Sequence, residues 1–220
     1  MENNDYLVVQ DITKVFKDNT VIDHVTLHLN PGNIYGLQGK NGSGKTMIIK
    51  AMCGLIRLNE GEVIVGGSVL GKDRDFPESV GASIEMPGFI GRYTAFQNLK
   101  VLADLRGAIS DAEIEETLKL VGLDDTGKKK FRQFSLGMKQ KLGIAAAIME
   151  HPKLILLDEP TNALDEQSVR NLRVILQKEK ERGALIVLSS HDAEELSILS
   201  DEIFVIENGH IEKTYRPGNV

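Results

Sequence analysis

The sequence lacks long apolar runs and has almost no cysteine. No stretch of its 220 residues approaches the ~18 consecutive apolar residues that span a bilayer. A membrane process would therefore require a separate membrane subunit. The single cysteine, Cys53, excludes an internal disulfide framework and suits a reducing cytosol. It falls in an apolar helical stretch, where we expect a small core residue. Residues 1–5 show neither the basic nor the apolar region of a secretory signal, and none is expected.

Positive charge is also scarce. The chain has 26 lysines and arginines against 32 aspartates and glutamates, a net charge of −6. Because binding to nucleic-acid phosphates favours a positive surface, we do not expect nucleic acid as a partner. Hydrophobic residues make up 41% and charged residues 26%, which is ordinary for a globular protein. The length fits one domain that can contain a subdomain.

Residue periodicity divides the chain into three parts. Strand patterns dominate residues 1–84 and helical spacing dominates residues 85–150. Strands alternate with helices over residues 151–220, which indicates a parallel sheet with helices on its faces. We therefore predict an α/β fold with a mixed sheet core, an N-terminal antiparallel β subdomain and a helical insert. The tail, residues 215–220, is expected to fray.

The same patterns predict the individual elements. The predicted strands are residues 7–12, 21–29, 34–38, 61–65, 80–84, 153–158, 184–189 and 203–207. The predicted helices are residues 46–55, 93–106, 111–121, 137–150, 165–182 and 193–199. Ser110, with Glu113 three residues later, predicts a capping box at the start of one of these helices.

A glycine-rich loop joins the third predicted strand to the first predicted helix. Its pattern, Gly39-x-x-x-x-Gly44-Lys45-Thr46, matches the phosphate-binding loop of nucleotide-binding proteins. Glycines allow successive backbone N–H groups to face one anion, and the helix N-terminus adds partial positive charge. We predict that Lys45 reaches the β- and γ-phosphates and that the Thr46 hydroxyl binds Mg²⁺. The predicted nucleotide-binding residues of the loop are Gly39, Lys40, Asn41, Gly42, Ser43, Gly44, Lys45 and Thr46.

Two acids follow an apolar strand further along the chain. Asp158 and Glu159 end the run Leu154-Ile155-Leu156-Leu157. A buried strand would deliver Asp158 to the sheet edge beside the glycine loop, where it can hold Mg²⁺ through water. Glu159 can act as the general base on an attacking water. The alternative is a strand that ends in solvated acids.

A histidine follows the next strand. His191 comes directly after Ser189-Ser190, at the carboxyl end of a strand, where ligands gather in this type of sheet. It can therefore contact a γ-phosphate. The alternative is a histidine that caps a helix or lies on the surface.

The motif order resembles the ATP-binding subunit of ABC transporters, over essentially the whole chain. In that family a serine-glycine signature opens a helix that points at the γ-phosphate held by the other subunit. Ser135 and Gly137 of Phe134-Ser135-Leu136-Gly137-Met138 match it, and a helix N-terminus with a serine hydroxyl suits an anion.

The resemblance also implies roles for single residues. Glu159 resembles the catalytic glutamate and His191 the switch histidine. Asp165 resembles the aspartate that touches the partner subunit. Phe16 lies where the family has an aromatic residue that stacks on adenine, and an ordinary core aromatic is the alternative.

The sequence departs from the family pattern at three positions. Glu85 replaces a glutamine that contacts Mg²⁺ and senses the membrane subunit. A carboxylate can also ligate Mg²⁺, but it adds negative charge beside the γ-phosphate. Leu136 replaces a glycine and Met138 a glutamine. Together these residues resemble the ATPases of bacitracin-type and lantibiotic-immunity exporters. Residues 86–93 are expected to receive the membrane subunit.

The resemblance implies a single ATPase domain over residues 1–220. Residues 1–84 and 151–220 would form a RecA-like core with the β subdomain, and residues 85–150 a helical subdomain. The expected activity is hydrolysis of ATP with Mg²⁺ in a head-to-tail dimer, with a second copy or a paralogue. The expected partner is a polytopic permease subunit, at the cytoplasmic face of a bacterial membrane.

Three different functions stay open beside peptide export. The first is the ATPase of another transport system, such as an importer or a different exporter. The second is a non-transport ATPase clamp of the same fold that works in DNA repair or on ribosomes. The third is a regulatory nucleotide-binding module without hydrolysis. The complete catalytic set of Lys45, Asp158, Glu159 and His191 disfavours a regulatory module that does not hydrolyse ATP.

Overall fold

The chain folds around two β-sheets. The computed structural model describes residues 5–85 and 88–218. The strands are β1 (Leu7–Phe16), β2 (Asn19–Leu29), β3 (Ile34–Gln38), β4 (Glu60–Val65), β5 (Ser68–Val69), β6 (Val80–Ser83), β7 (Leu154–Leu157), β8 (Leu185–Ser190), β9 (Glu202–Glu207) and β10 (His210–Tyr215). The smaller sheet has the order β2-β1-β4-β5, and its strand pairs are antiparallel.

The larger sheet carries the elements that lead into the predicted site. Its order is β10-β9-β3-β8-β7-β6. Strands β9, β3, β8, β7 and β6 run parallel, and β10 pairs antiparallel with β9 at the edge. Every residue of β7 and β8 is buried, as expected for parallel strands covered on both faces. The carboxyl ends of β3, β7 and β8 therefore lie at one edge.

The helices cover the larger sheet on one face and fill part of the other. They are α1 (Lys45–Met52), α2 (Ala95–Arg106), α3 (Asp111–Leu120), α4 (Leu136–Ile148), α5 (Glu166–Glu181) and α6 (Ala193–Leu199). Because side chains alternate along a strand, Ile155 and Leu157 pack with residues of α2 to α6. Leu154 and Leu156 pack on the opposite face, with α1 and the smaller sheet.

Helix starts agree with the local sequence signals. Ser110 caps α3 and accepts from the backbone N–H of Glu113, whose carboxylate in turn accepts from Ser110 N. The predicted capping box is therefore confirmed. Thr94 and Gln97 form a second box at α2. Ser135 is the N-cap of α4, where its hydroxyl accepts from Met138 N at 3.3 Å.

The predicted α/β fold, with its mixed sheet and antiparallel N-terminal sheet, is confirmed. The prediction for the tail is wrong at its start, because Tyr215 belongs to β10 and its hydroxyl donates to Gln38 Oε1 at 2.7 Å. Over residues 5–85 and 88–218, none of the helices combines the length and apolar character needed to cross a membrane.

Candidate functional site

The glycine loop after β3 is tightly built. A Cβ on Gly39 would lie 2.4 Å from Ser43 Oγ and 2.5 Å from the carbonyl of Ile206. Gly44 has a φ of 112°, in the region that favours glycine, and a Cβ there would lie 2.7 Å from the carbonyl of Val21. The loop therefore needs glycine at these two positions, at Gly39 for space and at Gly44 for both space and backbone conformation.

The loop opens directly into the N-terminus of α1. Gly44 is the N-cap, and no side chain of the described residues caps the helix, so the first backbone N–H groups remain available for an anion. Lys45 is 5% exposed. Its ammonium donates to the carbonyls of Gly39 at 2.7 Å and Lys40 at 3.2 Å. Backbone donors and a buried ammonium thus meet inside one loop.

Asp158 lies at the carboxyl end of β7, next to α1. The Thr46 hydroxyl donates to its carboxylate at 3.0 and 2.9 Å. The Ser189 hydroxyl, at the end of β8, donates to Asp158 Oδ1 at 2.7 Å. The structure therefore brings together two residues that the sequence analysis assigned to one Mg²⁺ ion. Among the described residues, no hydrogen bond joins the third assigned residue, Glu85, to either of them, and its carboxylate contacts Lys50 instead.

Glu159 follows Asp158, and its carboxylate lies between a lysine and a histidine. Its Oε2 lies 3.0 Å from His191 Nδ1, and its Oε1 lies 3.3 Å from Lys45 Nζ. The residue has a φ of 48°, which is unusual for a residue with a side chain. Its backbone N–H donates to Ser189 Oγ at 2.9 Å. The predicted base, lysine and histidine are thus brought together.

Glu85 is held by a residue that the sequence analysis did not name. Lys50, one turn after Thr46 on α1, donates to Glu85 Oε1 at 2.7 Å. The Glu85 side chain is 63% exposed, and the residue has a φ of 57°. Of the segment expected to receive the membrane subunit, residues 86 and 87 lie outside the described residues.

Ser135 and Gly137 contact other parts of the chain than the phosphate loop. Among the described residues, no hydrogen bond joins Ser135 to the loop; its hydroxyl caps α4 instead. Gly137 packs on the backbone that follows β7, where a Cβ would lie 2.6 Å from the carbonyl of Ala163. One turn further along α4, Gln140 Nε2 donates to the carbonyl of Glu159 at 3.3 Å.

Asp165 and Phe16 both lie at the ends of regular elements, Asp165 before α5 and Phe16 at the end of β1. Their predicted roles are contact with the partner subunit and stacking on adenine. Asp165 caps α5 by accepting from Ser168 N at 2.8 Å, and this hydrogen bond lowers its pKa. Phe16 ends β1, is 46% exposed, and has the Lys14 ammonium 4.6 Å from its ring centroid. It is therefore not a core aromatic, and contact with a base stays a prediction.

The donors and acceptors fit a nucleotide with a hard cation. Within the described residues, Ser43 Oγ is buried without a hydrogen-bond partner, and Glu159 Oε1 is buried with no hydrogen bond beyond its ion-pair contact with the Lys45 ammonium. A phosphate or water would satisfy them. Oxygen atoms of Thr46 and Asp158 suit Mg²⁺. No group of three metal-binding side chains occurs in the described part of the chain, so phosphate and water oxygens would complete the coordination.

Three residues of the site were missed by sequence reasoning. Ser189 is the next-to-last residue of the buried strand β8 and pairs with Leu37 of β3. Its position two residues before His191 was the available sequence signal. Lys50 lies four residues after Thr46, on the same helical face. Gln140 had no local signal, because its contact depends on how α4 packs on the sheet.

A separate cleft of about 1310 Å³ lies between α3 and α5. Its lining mixes acids such as Glu113, Glu116 and Glu179 with His151 and Arg182. A nucleotide carries several negative charges, and this cleft has more carboxylates than lysines and arginines along its lining, whereas the loop offers backbone N–H donors. The loop is therefore the site with anion-binding chemistry.

The sequence profile of the family described as ABC transporter matches residues 22–162. The chain is 45% identical over 204 residues to the ABC transporter ATP-binding protein YybJ of Bacillus subtilis, covering 93% of this chain and 94% of that protein. It is 41% identical to the bacitracin transport ATP-binding protein BcrA of Enterococcus faecalis, covering 92% and 66%. It is 38% identical to the lantibiotic transport ATP-binding protein SrtF of Streptococcus pyogenes, covering 95% and 91%.

Solved structures show the same fold. An ATP-binding subunit of an ABC transporter superposes with a TM-score of 0.86 at 27% identity, over 96% of this chain and 90% of that chain. A dimeric bacterial ABC transporter cassette gives a TM-score of 0.87 at 23% identity, over 97% and 100%.

Proposed function

The chain belongs to the ABC transporter family of ATP-binding proteins, and from this premise we propose that it hydrolyses ATP·Mg²⁺ to drive peptide export through a separate membrane subunit. The observation that carries the proposal is the position of the Glu159 carboxylate, between Lys45 and His191. A carboxylate there can accept a proton from water while the two neighbours bind the phosphate that the water attacks.

Each group of the site has a task in this proposal. The loop N–H groups and Lys45 bind the phosphates, with Phe16 stacking on the adenine. Thr46 and Asp158 hold Mg²⁺, joined by Glu85 when it leaves Lys50. Bound Mg²⁺ neutralises charge on the phosphate oxygens. His191 contacts the γ-phosphate and orients Glu159.

The placement of the signature residues supports a two-chain site. Ser135 is exposed at the N-terminal end of α4 with Gly137 half-buried beside it, and within the described residues no hydrogen bond joins Ser135 to its own phosphate loop. A helix N-terminus with a serine hydroxyl binds anions. We propose that it meets the γ-phosphate of a second ATPase chain arranged head to tail, a second copy or a paralogue, with Asp165 at the contact. ATP then favours the closed dimer and hydrolysis releases it.

The relatives support a peptide as cargo. BcrA is described as a bacitracin transport protein and SrtF as a lantibiotic transport protein. Since both are antimicrobial peptides, we propose that the membrane subunit exports such a peptide, for resistance or immunity. The membrane subunit would hold the ATPase at the cytoplasmic face. Residues 1–84 and 151–220 would act as the nucleotide-binding core, and residues 85–150 as the helical part.

Deletion of the gene in its bacterium tests the cargo. We expect the deletion to increase sensitivity to bacitracin or a lantibiotic, and not to an antibiotic with an intracellular target. The intact gene should restore resistance and a Lys45→Ala copy should not. Unchanged sensitivity to all peptides, with ATPase activity present, would favour another transport system.

Copurification and phosphate release distinguish a transport ATPase from a non-transport clamp and from a regulatory module. The tagged chain, extracted in mild detergent, should carry with it the polytopic membrane protein encoded beside it. A ribosomal or DNA-repair complex in its place would favour the clamp. ATP binding without phosphate release, even with the membrane subunit present, would favour the regulatory module.

A further inference from the structure

Gln140 forms a direct link between the signature helix and the proposed base. Its amide nitrogen donates to the Glu159 carbonyl at 3.3 Å, in a half-buried position. The same helix, α4, begins at Ser135 and packs through Gly137 on the carbonyl of Ala163. One rigid element therefore contacts the backbone at Glu159 and at Ala163 on the segment after β7.

The backbone at Glu159 needs such contacts to keep its conformation. A φ of 48° is costly for a residue with a side chain and persists where the surroundings hold it. Ser189 Oγ holds the N–H of Glu159 at 2.9 Å, and Gln140 and the N–H of Asn162 hold its carbonyl at 3.3 and 3.2 Å. Gln140 is the one of these partners that lies on α4. A shift of α4 would therefore reach Glu159 through Gln140.

We propose that Gln140 is a positioning residue that couples the two ATP sites of the dimer. The inference rests on the proposed head-to-tail arrangement. In that arrangement Ser135 binds the γ-phosphate of the partner chain's ATP, while Glu159 is the general base for the ATP bound to its own chain. When the partner's phosphate engages the N-terminus of α4, the Gln140 hydrogen bond fixes the Glu159 backbone, so hydrolysis at one site depends on nucleotide at the other.

The link is specific to the amide group. Gln140→Met keeps the length of the side chain and removes the donor. Gln140→Glu keeps the shape and places a carboxylate against a carbonyl, which repels it. Gln177→Met is the matched control, because Gln177 is exposed on α5 and its side-chain amide donates to the neighbouring Glu181.

Steady-state phosphate release against ATP concentration tests the proposal. We expect the unsubstituted chain and Gln177→Met to show positive cooperativity, with a Hill coefficient well above one. Gln140→Met should lower kcat by about five- to tenfold, the size of one hydrogen bond, and bring the Hill coefficient close to one. Gln140→Glu should lower kcat further. The affinity for ATP measured by equilibrium binding should stay unchanged in all three.

Because ATP closes the proposed dimer, the Hill coefficient depends on the concentration of folded chain, so all variants are compared at the same concentration of folded protein, measured by circular dichroism. A Hill coefficient that stays unchanged in Gln140→Met would overturn the proposal, whatever happens to kcat. A coefficient of one in the unsubstituted chain would overturn it as well. Absence of phosphate release from the unsubstituted chain would instead count against the proposed ATPase function itself.

Discussion

Lys50 and Glu85 form an ion pair in which Nζ lies 2.7 Å from Oε1. The pair joins α1, which begins at the phosphate loop, to Glu85, two residues after the end of β6, at the position where the family pattern has glutamine. The Lys50 ammonium is the counter-charge for the Glu85 carboxylate, which the sequence analysis places beside the phosphates. Because the Glu85 side chain is 63% exposed, such a pair contributes only about 0.2–1 kcal/mol. Glu85 can therefore leave Lys50 at little cost when another cation is near.

This exchange predicts a role for Glu85 in Mg²⁺ dependence. If Glu85 joins Thr46 and Asp158 on Mg²⁺, Glu85→Ala should raise the Mg²⁺ concentration for half-maximal ATPase activity by about tenfold. Glu85→Gln keeps an oxygen ligand and should shift it less. Glu78→Ala is the control, since it removes an equal charge from an exposed surface pair with Arg74. Equal Mg²⁺ dependence of the two alanine variants would remove Glu85 from the metal site.

The contacts of Glu159 predict the effect of removing its carboxylate charge. Glu159→Gln should lower phosphate release by about 10²–10⁴-fold, because a general base is lost. The variant should still bind ATP, and it should elute as a dimer in size-exclusion chromatography with ATP·Mg²⁺. Glu166→Gln serves as the control, because Glu166 is exposed in the first turn of α5. Full ATPase activity of Glu159→Gln would show that another group is the base.

The close approach of Gly137 to Ala163 predicts that substitutions at Gly137 and at Ser135 lower stability for different physical reasons. In Gly137→Ala the new Cβ would lie 2.6 Å from the Ala163 carbonyl of the same chain. We expect a loss of about 1–3 kcal/mol in the free energy of unfolding, typical of overpacking. Ser135→Ala should cost ~1 kcal/mol through the lost N-cap, and it should also abolish ATP-dependent dimerisation.

Urea unfolding with each variant measures these costs. Leu136→Ala is the control between them, because Leu136 is 55% exposed and surface substitutions usually change stability by less than ~0.5 kcal/mol. A Gly137→Ala protein as stable as the unsubstituted chain would show that the backbone after β7 can move away from α4.

The site was predictable where local sequence determines it. The strand–loop–helix pattern and the glycines located the phosphate loop, and the apolar run before Asp158 located the acids. The hydrogen bonds of Ser189 to Asp158 and Glu159 depend on the registers of β7 and β8, which no local pattern encodes. The same holds for Gln140, because its contact depends on how α4 packs against the segment after β7.

The edge strand β10 was missed for a related reason. Its segment, His210–Tyr215, is short and carries mixed polar residues, so its alternation is weak. It forms because β9 offers an unpaired edge and because Tyr215 reaches Gln38 at the end of β3. Long-range pairing therefore ordered a segment whose last residue, from its sequence and position, was expected to fray.

Burial of Cys53 predicts an inert thiol. The residue is 6% exposed at the end of α1, and burial raises the pKa of its thiol to about 11. An aromatic disulfide reagent at pH 8 should label the unfolded chain readily and the native protein only at its rate of unfolding. Rapid labelling of the native protein would contradict the assignment of Cys53 to the core.

The raised pKa of the Cys53 thiol also makes the free energy of unfolding depend on pH. Between the ordinary thiol pKa of ~8.5 and 11, the unfolded chain loses a proton that the folded chain retains, so this group makes stability fall as pH rises. Urea unfolding of the unsubstituted chain and of Cys53→Ala, each at pH 8 and pH 10, measures this contribution. The unsubstituted chain should lose more stability between the two pH values than Cys53→Ala does, and equal losses would contradict the prediction.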